Sequence, residues 1–232
     1  PGQPVRLRAL PLPKRHHEAR LVVSAQGRAA LVWRDRQKDT LRLLLSWTLD
    51  PQKAIVLDQV SLPKAVANLA EITSTRLSAA PHGKDRVAVA WRPIVDKNLK
   101  EVGSPSNPPG KAALAEVRWL VVGPRGPKHT PHRHLTKALP LGGTSGIGPW
   151  PLTGNGLSAG QLGEQAVFVW MDPKGIMGVM ATHQDAVRLA AIGRPPLVAL
   201  RRLTKAGAKS SEDQLLLLDS SPKVRAFRLR CK

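Results

Sequence analysis

Several residue types that usually help to build a protein are rare in this sequence. Among 232 residues there is no tyrosine, aromatic residues make up 3%, and the only cysteine is Cys231. A single cysteine excludes an intrachain disulfide. It allows an interchain bridge or the attachment of a lipid or a cofactor, but a cysteine beside the C-terminus is more often an exposed thiol. No apolar run approaches the roughly 18 residues that a membrane-spanning helix needs. The core therefore has to consist of Leu, Val, Ala and Ile, with six tryptophans as its few large side chains.

Acidic residues are also rare. The chain has 16 of them against 36 basic residues, which gives a formal net charge of +20 at pH 7. The basic residues are spread along the chain rather than confined to a tail. A field of this strength attracts nucleic acid, acidic glycan, an anionic lipid surface or an acidic protein partner. The alternative is a solvated basic surface that reflects only an arginine-rich coding bias.

A repeated pattern is the main feature that the sequence does contain. A strand with Ser-Ala is followed by a glycine turn and a short apolar strand that ends in tryptophan, in residues 23–33, 77–91 and 157–170. A degenerate copy in residues 210–219 has leucine in place of the tryptophan. Self-similarity every few tens of residues is typical of repeat architectures. The hydrophobic content of 42% is enough to give these repeats a core.

These repeats resemble the blades of a β-propeller, in which short antiparallel sheets follow one another around an axis. Further apolar segments flank each tryptophan strand, so that each unit has about four strands. The last unit has only three, and the N-terminal strand is expected to complete its sheet. Trp33, Trp91 and Trp170 are then expected to pack between blades rather than to present a platform for a ligand.

The resemblance implies an all-β fold, a four-bladed β-propeller-like array of four-stranded antiparallel sheets with a hemopexin-like architecture. No family-specific signature accompanies it. A fragment of a larger propeller, or a half that dimerises, is the structural alternative. Residues 1–232 are expected to form a single domain with approximate blades at residues 20–62, 75–141, 156–203 and 208–232, the last completed by residues 4–12.

No motif supports catalysis or a cofactor. Residues 142–148 resemble the phosphate loop of short-chain dehydrogenases, but Pro149 and Pro151 follow where that loop needs a helix N-terminus. The catalytic tyrosine of that family is missing as well. We therefore expect no enzymatic activity and no cofactor. The recurring serines are expected to be structural and the recurring aspartates to lie in turns; they are Ser24, Ser78, Ser158, Asp35, Asp172 and Asp219.

Three histidines occur close together, and imidazoles at this spacing are weak candidates for a metal site. They are His129, His132 and His134. The neighbouring Lys128 and Arg133 oppose a divalent cation, and no cysteine lies nearby. We therefore expect no metal and interpret the segment as a basic surface loop whose histidines gain charge as the pH falls.

Clusters of basic residues in or beside loops are the candidate binding sites, because binding to phosphate-type groups needs only clustered donors. Trp150, in a Gly/Pro-rich loop, is the candidate for an exposed stacking residue. The predicted polyanion-binding residues are Lys14, Arg15, Arg125, Lys128, Arg133, Arg201, Arg202 and Lys205.

The sequence therefore predicts a non-enzymatic binding or scaffold module that engages a polyanion, such as nucleic acid or acidic glycan, or an acidic face of a larger assembly. One alternative is a propeller-type hydrolase with a pocket on the central axis. Another is a structural subunit of an extracytoplasmic or organellar complex, bridged or dimerised through Cys231. The chain begins at Pro1, as expected after removal of a signal or transit peptide, and an extracytoplasmic location is favoured over an organellar or nucleic-acid-associated one.

Overall fold

The protein is all-β. The computed structural model describes residues 16–38, 40–61, 77–92, 114–137, 157–172, 175–190, 199–203, 214–219 and 225–229. Across these ranges there are sixteen strands in four antiparallel sheets, which we name A to D in chain order, and no α-helix.

Sheets A and B take up the first half of the chain. Sheet A contains β1 (His16–Val23), β2 (Ala29–Gln37), β3 (Thr40–Ser46) and β4 (Ile55–Ser61), with a single 3-10 turn at Pro51–Lys53 before β4. Sheet B contains β5 (Leu77–His82), β6 (Arg86–Trp91), β7 (Leu114–Gly123), β8 (Gly126–Pro127) and β9 (His132–Lys137).

Sheets C and D follow. Sheet C contains β10 (Ser158–Leu162), β11 (Gln165–Asp172), β12 (Gly175–Met180) and β13 (Val187–Ala190). Sheet D contains β14 (Ala199–Leu203), β15 (Gln214–Asp219) and β16 (Arg225–Leu229). In sheets A, C and D, strands that are adjacent in sequence pair in a simple meander; in sheet B, β5 to β8 do so and β9 also pairs with β7.

The boundary between the third and fourth units differs from the predicted one. Residues 199–203 were expected to close the third sheet, but β14 pairs with β15 and begins sheet D. Sheet C is already complete at that point, because β13 pairs with β12 through a short turn. The predicted N-terminal strand at residues 4–12 lies outside the described residues.

The glycine turns of the repeat are confirmed. Gly27, Gly83 and Gly163 each lie in the turn between the first two strands of a sheet, with φ of 75°, 61° and 60°. Glycine is suited to these positions because a side chain is strained at positive φ. The turns also contact one another, since Gln26 N donates to Lys84 O (3.2 Å) and Gly83 N donates to Glu164 O (2.6 Å).

The equivalence of the three serines is wrong. Ser78 and Ser158 lie at the beginning of the first strands of sheets B and C, whereas Ser24 follows the end of β1. The Oγ of Ser24 accepts from Arg28 N (3.2 Å) and closes the longer first turn of sheet A. Ser78 has a different role, because its Oγ donates to Leu157 O (2.9 Å) and joins sheet B to sheet C.

The core consists of apolar layers between successive sheets. One layer lies between sheets A and B and includes Val32, Leu45, Val89 and Trp91. A second layer lies between sheets B and C and includes Trp119, Phe168 and Trp170. The first strands of successive sheets also pack together, β1 against β5, β5 against β10 and β10 against β14.

The repeated tryptophans are structural, as predicted. Trp33 and Trp170 have no exposed surface, and Trp91 has 3%. Trp91 lies on the face of sheet B that packs on sheet A, and Trp170 lies on the face of sheet C that packs on sheet B. In both cases the tryptophan of the second strand therefore faces the preceding sheet. Trp33 lies with Leu31 and Leu44 on the face of sheet A that is turned away from sheet B.

Candidate polyanion-binding surface

The outer edge of sheet B is an interrupted strand. Both β8 and β9 pair with β7, β8 opposite Val122 and Gly123 and β9 opposite residues 114–119. Residues 128–131 bulge out between the two paired segments. Proline cannot donate a hydrogen bond to a ladder, and Pro131 lies at the end of this bulge. The bulge and the turn before β8 therefore present their side chains to solvent.

Three of the predicted polyanion-binding residues lie on this edge, and we call them the basic corner: Arg125, Lys128 and Arg133. All three are exposed, in the turn before β8, in the bulge and in β9 respectively. Within the described part of the chain, none of the three forms an ion pair.

Two carboxylates bind an arginine at the boundary between sheets A and B. Asp58 in β4 accepts from Arg118 Nη1 at 3.0 and 2.9 Å, and from Trp91 Nε1 at 2.7 Å, across the boundary between sheets A and B. Arg118 Nη2 also donates to Glu116 Oε2 (3.0 Å), and Glu116 is 2% exposed. Burial alone would lower the pKa of Arg118, but the hydrogen bond to Glu116 and the charge of Asp58 outweigh burial and raise it.

The same boundary holds a second charged group. Glu18 Oε2 accepts from Leu77 N (2.8 Å), which joins β1 to β5, and lies 3.9 Å from Nη1 of the buried Arg34. Burial lowers the pKa of Arg34 to about 10, and the charge of Glu18 opposes this shift. The other oxygen of Glu18 binds Arg20 Nη2 (2.6 Å). These contacts and those of Asp58 form a polar seam between sheets A and B.

Asp35 corrects the prediction that the recurring aspartates lie in turns. It lies within β2, directly opposite Arg42 in β3. Arg42 donates to both of its oxygens, from Nε to Oδ1 (2.9 Å) and from Nη2 to Oδ2 (2.7 Å). The hydrogen bond to Asp35 raises the pKa of Arg42, as expected of a bidentate pair. Asp172 and Asp219 are the last residues of β11 and β15.

The three histidines of the basic segment contact other rings, either those of tryptophans or those of one another. The ring centroid of His132 lies 5.9 Å from that of Trp119, and the ring of His134 lies 5.6 Å from that of Trp170. His129 is exposed and its ring lies 4.7 Å from that of His132. Burial and then the charge of His129 lower the pKa of His132. No group of three or more potential metal ligands occurs among the residues that the structure describes.

Two of the remaining predicted site residues lie in sheet D. Arg201 and Arg202, which were expected in or beside a loop, lie in β14, opposite Leu216 and Leu215. The others lie outside the described residues; they are Lys14, Arg15, Trp150, Lys205 and Cys231.

The structure places a turn of sheet A beside the basic corner, which the sequence did not indicate. Trp47 Nε1 in sheet A donates to Gly123 O in sheet B (3.0 Å), and Ile55 Cδ1 lies 3.9 Å from the Cβ position of Gly126. The turn that contains the exposed Lys53 therefore lies against the β7–β8 turn that carries Arg125. No local pattern signals this approach, because the two turns are distant in sequence.

Comparison with family models, with curated proteins and with solved structures finds no significant match for this chain. Within the described ranges, no helix has the length and apolar character that crossing a membrane requires.

Proposed function

We propose that this protein is a non-enzymatic binding module that uses the basic corner of sheet B to hold a polyanion. The observation that carries the proposal is the contrast between the basic corner and the polar seam. Arg118 and Arg34 are paired with carboxylates between sheets, whereas Arg125, Lys128 and Arg133 are exposed on one edge. Clustered, unneutralised cations are the donors that a chain of anionic groups requires.

The sequence around the corner strengthens the proposal. Residues 117–163 contain no Asp or Glu, so no carboxylate of this long segment can neutralise the corner from within. The exposed His129 lies on the same edge. The +20 charge of the chain attracts a polyanion from a distance, and the corner supplies the direct contacts.

The experiment is fluorescence anisotropy with labelled 20-nucleotide DNA, 20-nucleotide RNA and heparin over a salt series. The corner variant carries Arg125→Glu, Lys128→Glu and Arg133→Glu. We expect it to lose at least tenfold in affinity and to show a shallower dependence of log affinity on log salt, because fewer counterions are released.

The matched control carries Lys38→Glu, Lys84→Glu and Arg188→Glu, exposed residues spread over sheets A, B and C. It changes the net charge by the same amount as the corner variant. We expect the control to lose much less affinity than the corner variant. Equal losses in the two variants would show that only net charge matters and would remove the corner as a site.

We further propose that the four sheets close into a four-bladed ring. Sheet D then packs on the face of sheet A that is turned away from sheet B. Two observations support closure. The tryptophans of sheets B and C face the preceding sheet, and Trp33 on the corresponding face of sheet A is fully buried. A fully buried tryptophan requires a partner layer, and sheet D occupies the preceding position in a ring.

Photo-crosslinking tests the ring. Leu218 occupies the tryptophan position of the repeat, and the tryptophans of sheets B and C face the preceding sheet. In a closed ring we therefore expect position 218 to lie on the face of sheet D next to sheet C, and position 217 to lie on the opposite face, next to sheet A. Benzoylphenylalanine in place of Leu217 is expected to cross-link within the same chain to the peptide that contains Trp33. The same group in place of Leu218 is the control and is expected to cross-link to sheet C. Cross-links from position 217 to a second chain would instead indicate a half-ring that dimerises, and no link to sheet A would contradict closure.

A further inference from the structure

The strand register fixes how the cations of the basic corner are spaced along the edge of sheet B. Arg133 is paired with Arg118 and Gly126 is paired with Gly123, so the level of Arg133 lies five residue steps along β7 from the turn that carries Arg125. At about 3.4 Å per residue of an antiparallel strand, this separation is roughly 17 Å. Lys128 follows Pro127, which is opposite Val122, and therefore lies between the two arginines.

We infer that the ligand of the basic corner is a linear chain of phosphate or sulfate groups that lies along the outer edge of sheet B, parallel to β7. This inference rests on the proposed function and adds the shape and the minimum length of the ligand. Three cations in a row along one edge match a polymer that presents several anionic groups in line. A free phosphate ion or a mononucleotide is too small to span the roughly 17 Å between the two outer levels.

The required length follows from the spacing. Along the axis of helical DNA each strand carries one phosphate about every 3.4 Å, so roughly 17 Å of axis holds about six phosphates. An extended single strand spaces its phosphates more widely, so six anionic groups are enough to span the edge. The bulge at residues 128–131 keeps this edge accessible to such a chain, because it prevents the edge from pairing with another strand. The ligand therefore meets side chains along the edge rather than a continuous ladder of backbone groups.

A length series tests the inference on the full chain. The probes are labelled oligothymidylates with two to twelve phosphates and heparin fragments of increasing length, measured by anisotropy at low salt. We expect affinity to rise by more than tenfold between two and six anionic groups and only in proportion to length beyond that. For the longer oligothymidylates, three neutralised phosphates should contribute about −2 to the slope of log affinity against log salt.

The corner and control variants make the outcome specific. The corner variant should lose the step between two and six groups, whereas the control variant should keep it. If binding depends on the basic corner but affinity rises smoothly with ligand length, without a step, the inference of a linear ligand is wrong and the proposed function still holds. Binding of long polymers that does not depend on the corner would overturn both. A step for heparin fragments alone, or for DNA alone, identifies sulfate or phosphate as the group that is bound.

Discussion

Replacing Arg118 with methionine is expected to destabilise the fold by about 3–5 kcal/mol, because it leaves buried carboxylates without their cation. Arg118 binds both oxygens of Asp58 and one oxygen of Glu116, and the side chains of the two acids are 14% and 3% exposed. Methionine preserves much of the apolar volume, so the loss comes mainly from the charges. Chemical denaturation at pH 7, followed by far-UV circular dichroism, measures it.

Arg133→Met is the matched control for Arg118→Met. Arg133 is the cross-strand neighbour of Arg118 in β9 but is exposed. Exposed substitutions of this kind usually change stability by no more than about 0.5 kcal/mol. Adding Asp58→Asn and Glu116→Gln to Arg118→Met should recover part of the loss, because the unpaired charges are then removed. A loss below about 1 kcal/mol for Arg118→Met would mean that the polar seam does not hold sheets A and B together.

The polar seam also shows where prediction from the sequence reaches its limit. The repeats predicted the hairpins of sheets B and C because a glycine turn and a tryptophan strand are local signals, visible within about fifteen residues. The contact between Asp58 and Arg118 joins residues 60 positions apart in two different sheets. No periodicity encodes such a pair, and Asp58 lies outside the recurring aspartates. The pair follows only from the way in which β4 lies beside β7.

Local patterns misled in two places for related reasons. Residues 197–203 repeat the apolar pattern of β4 and β9, which are outer strands, yet β14 is the first strand of sheet D. The apolar pattern indicates only that a strand is half-buried, which can hold for the first strand of a sheet as well as for its last strand. Ser24 matches the Ser-Ala repeat in sequence but lies in a longer turn, so its register is shifted from that of Ser78.

The basic corner was partly predictable. Arg125, Lys128 and Arg133 are close in sequence and follow turn-forming residues, which indicated a basic loop. Their arrangement along one edge depends on the interruption between β8 and β9, and this interruption is visible only through the pairing of both segments with β7. Arg201 and Arg202 had the same charge signal, but they lie in β14 of sheet D. Charge clustering in sequence therefore identifies candidates, and the strand register decides which of them share a surface.

His82 is expected to make the stability of the protein depend on pH. It has no exposed surface, and its Nδ1 accepts from Ala166 N (3.2 Å), which joins sheet B to sheet C. An imidazole nitrogen can accept this bond only when it carries no proton. Burial, and then the charge of Arg86, lower the pKa of His82 below its ordinary value. The folded protein therefore favours neutral His82, whereas an unfolded chain binds the proton near pH 6.5.

The sign of the effect follows from this difference. The contribution of His82 to stability is fully present above about pH 6.5 and decreases as the pH falls through that value, until the folded histidine is protonated as well. One proton limits the loss to about 1.4 kcal/mol per pH unit. Urea unfolding at several pH values between 8 and 5 measures it. His132, whose pKa is also lowered by burial, contributes in the same direction and leaves a residual slope.

Two variants separate the proton from the hydrogen bond. His82→Asn keeps an acceptor near the position of Nδ1 but does not titrate, so the pH dependence should weaken while much of the stability at pH 8 is kept. His82→Leu leaves Ala166 N without its acceptor and should cost about 1–3 kcal/mol even at pH 8. If both variants keep the pH slope of the wild type, the titrating group lies elsewhere. In that case the bond from Ala166 N to His82 still joins sheets B and C, but it does not sense pH.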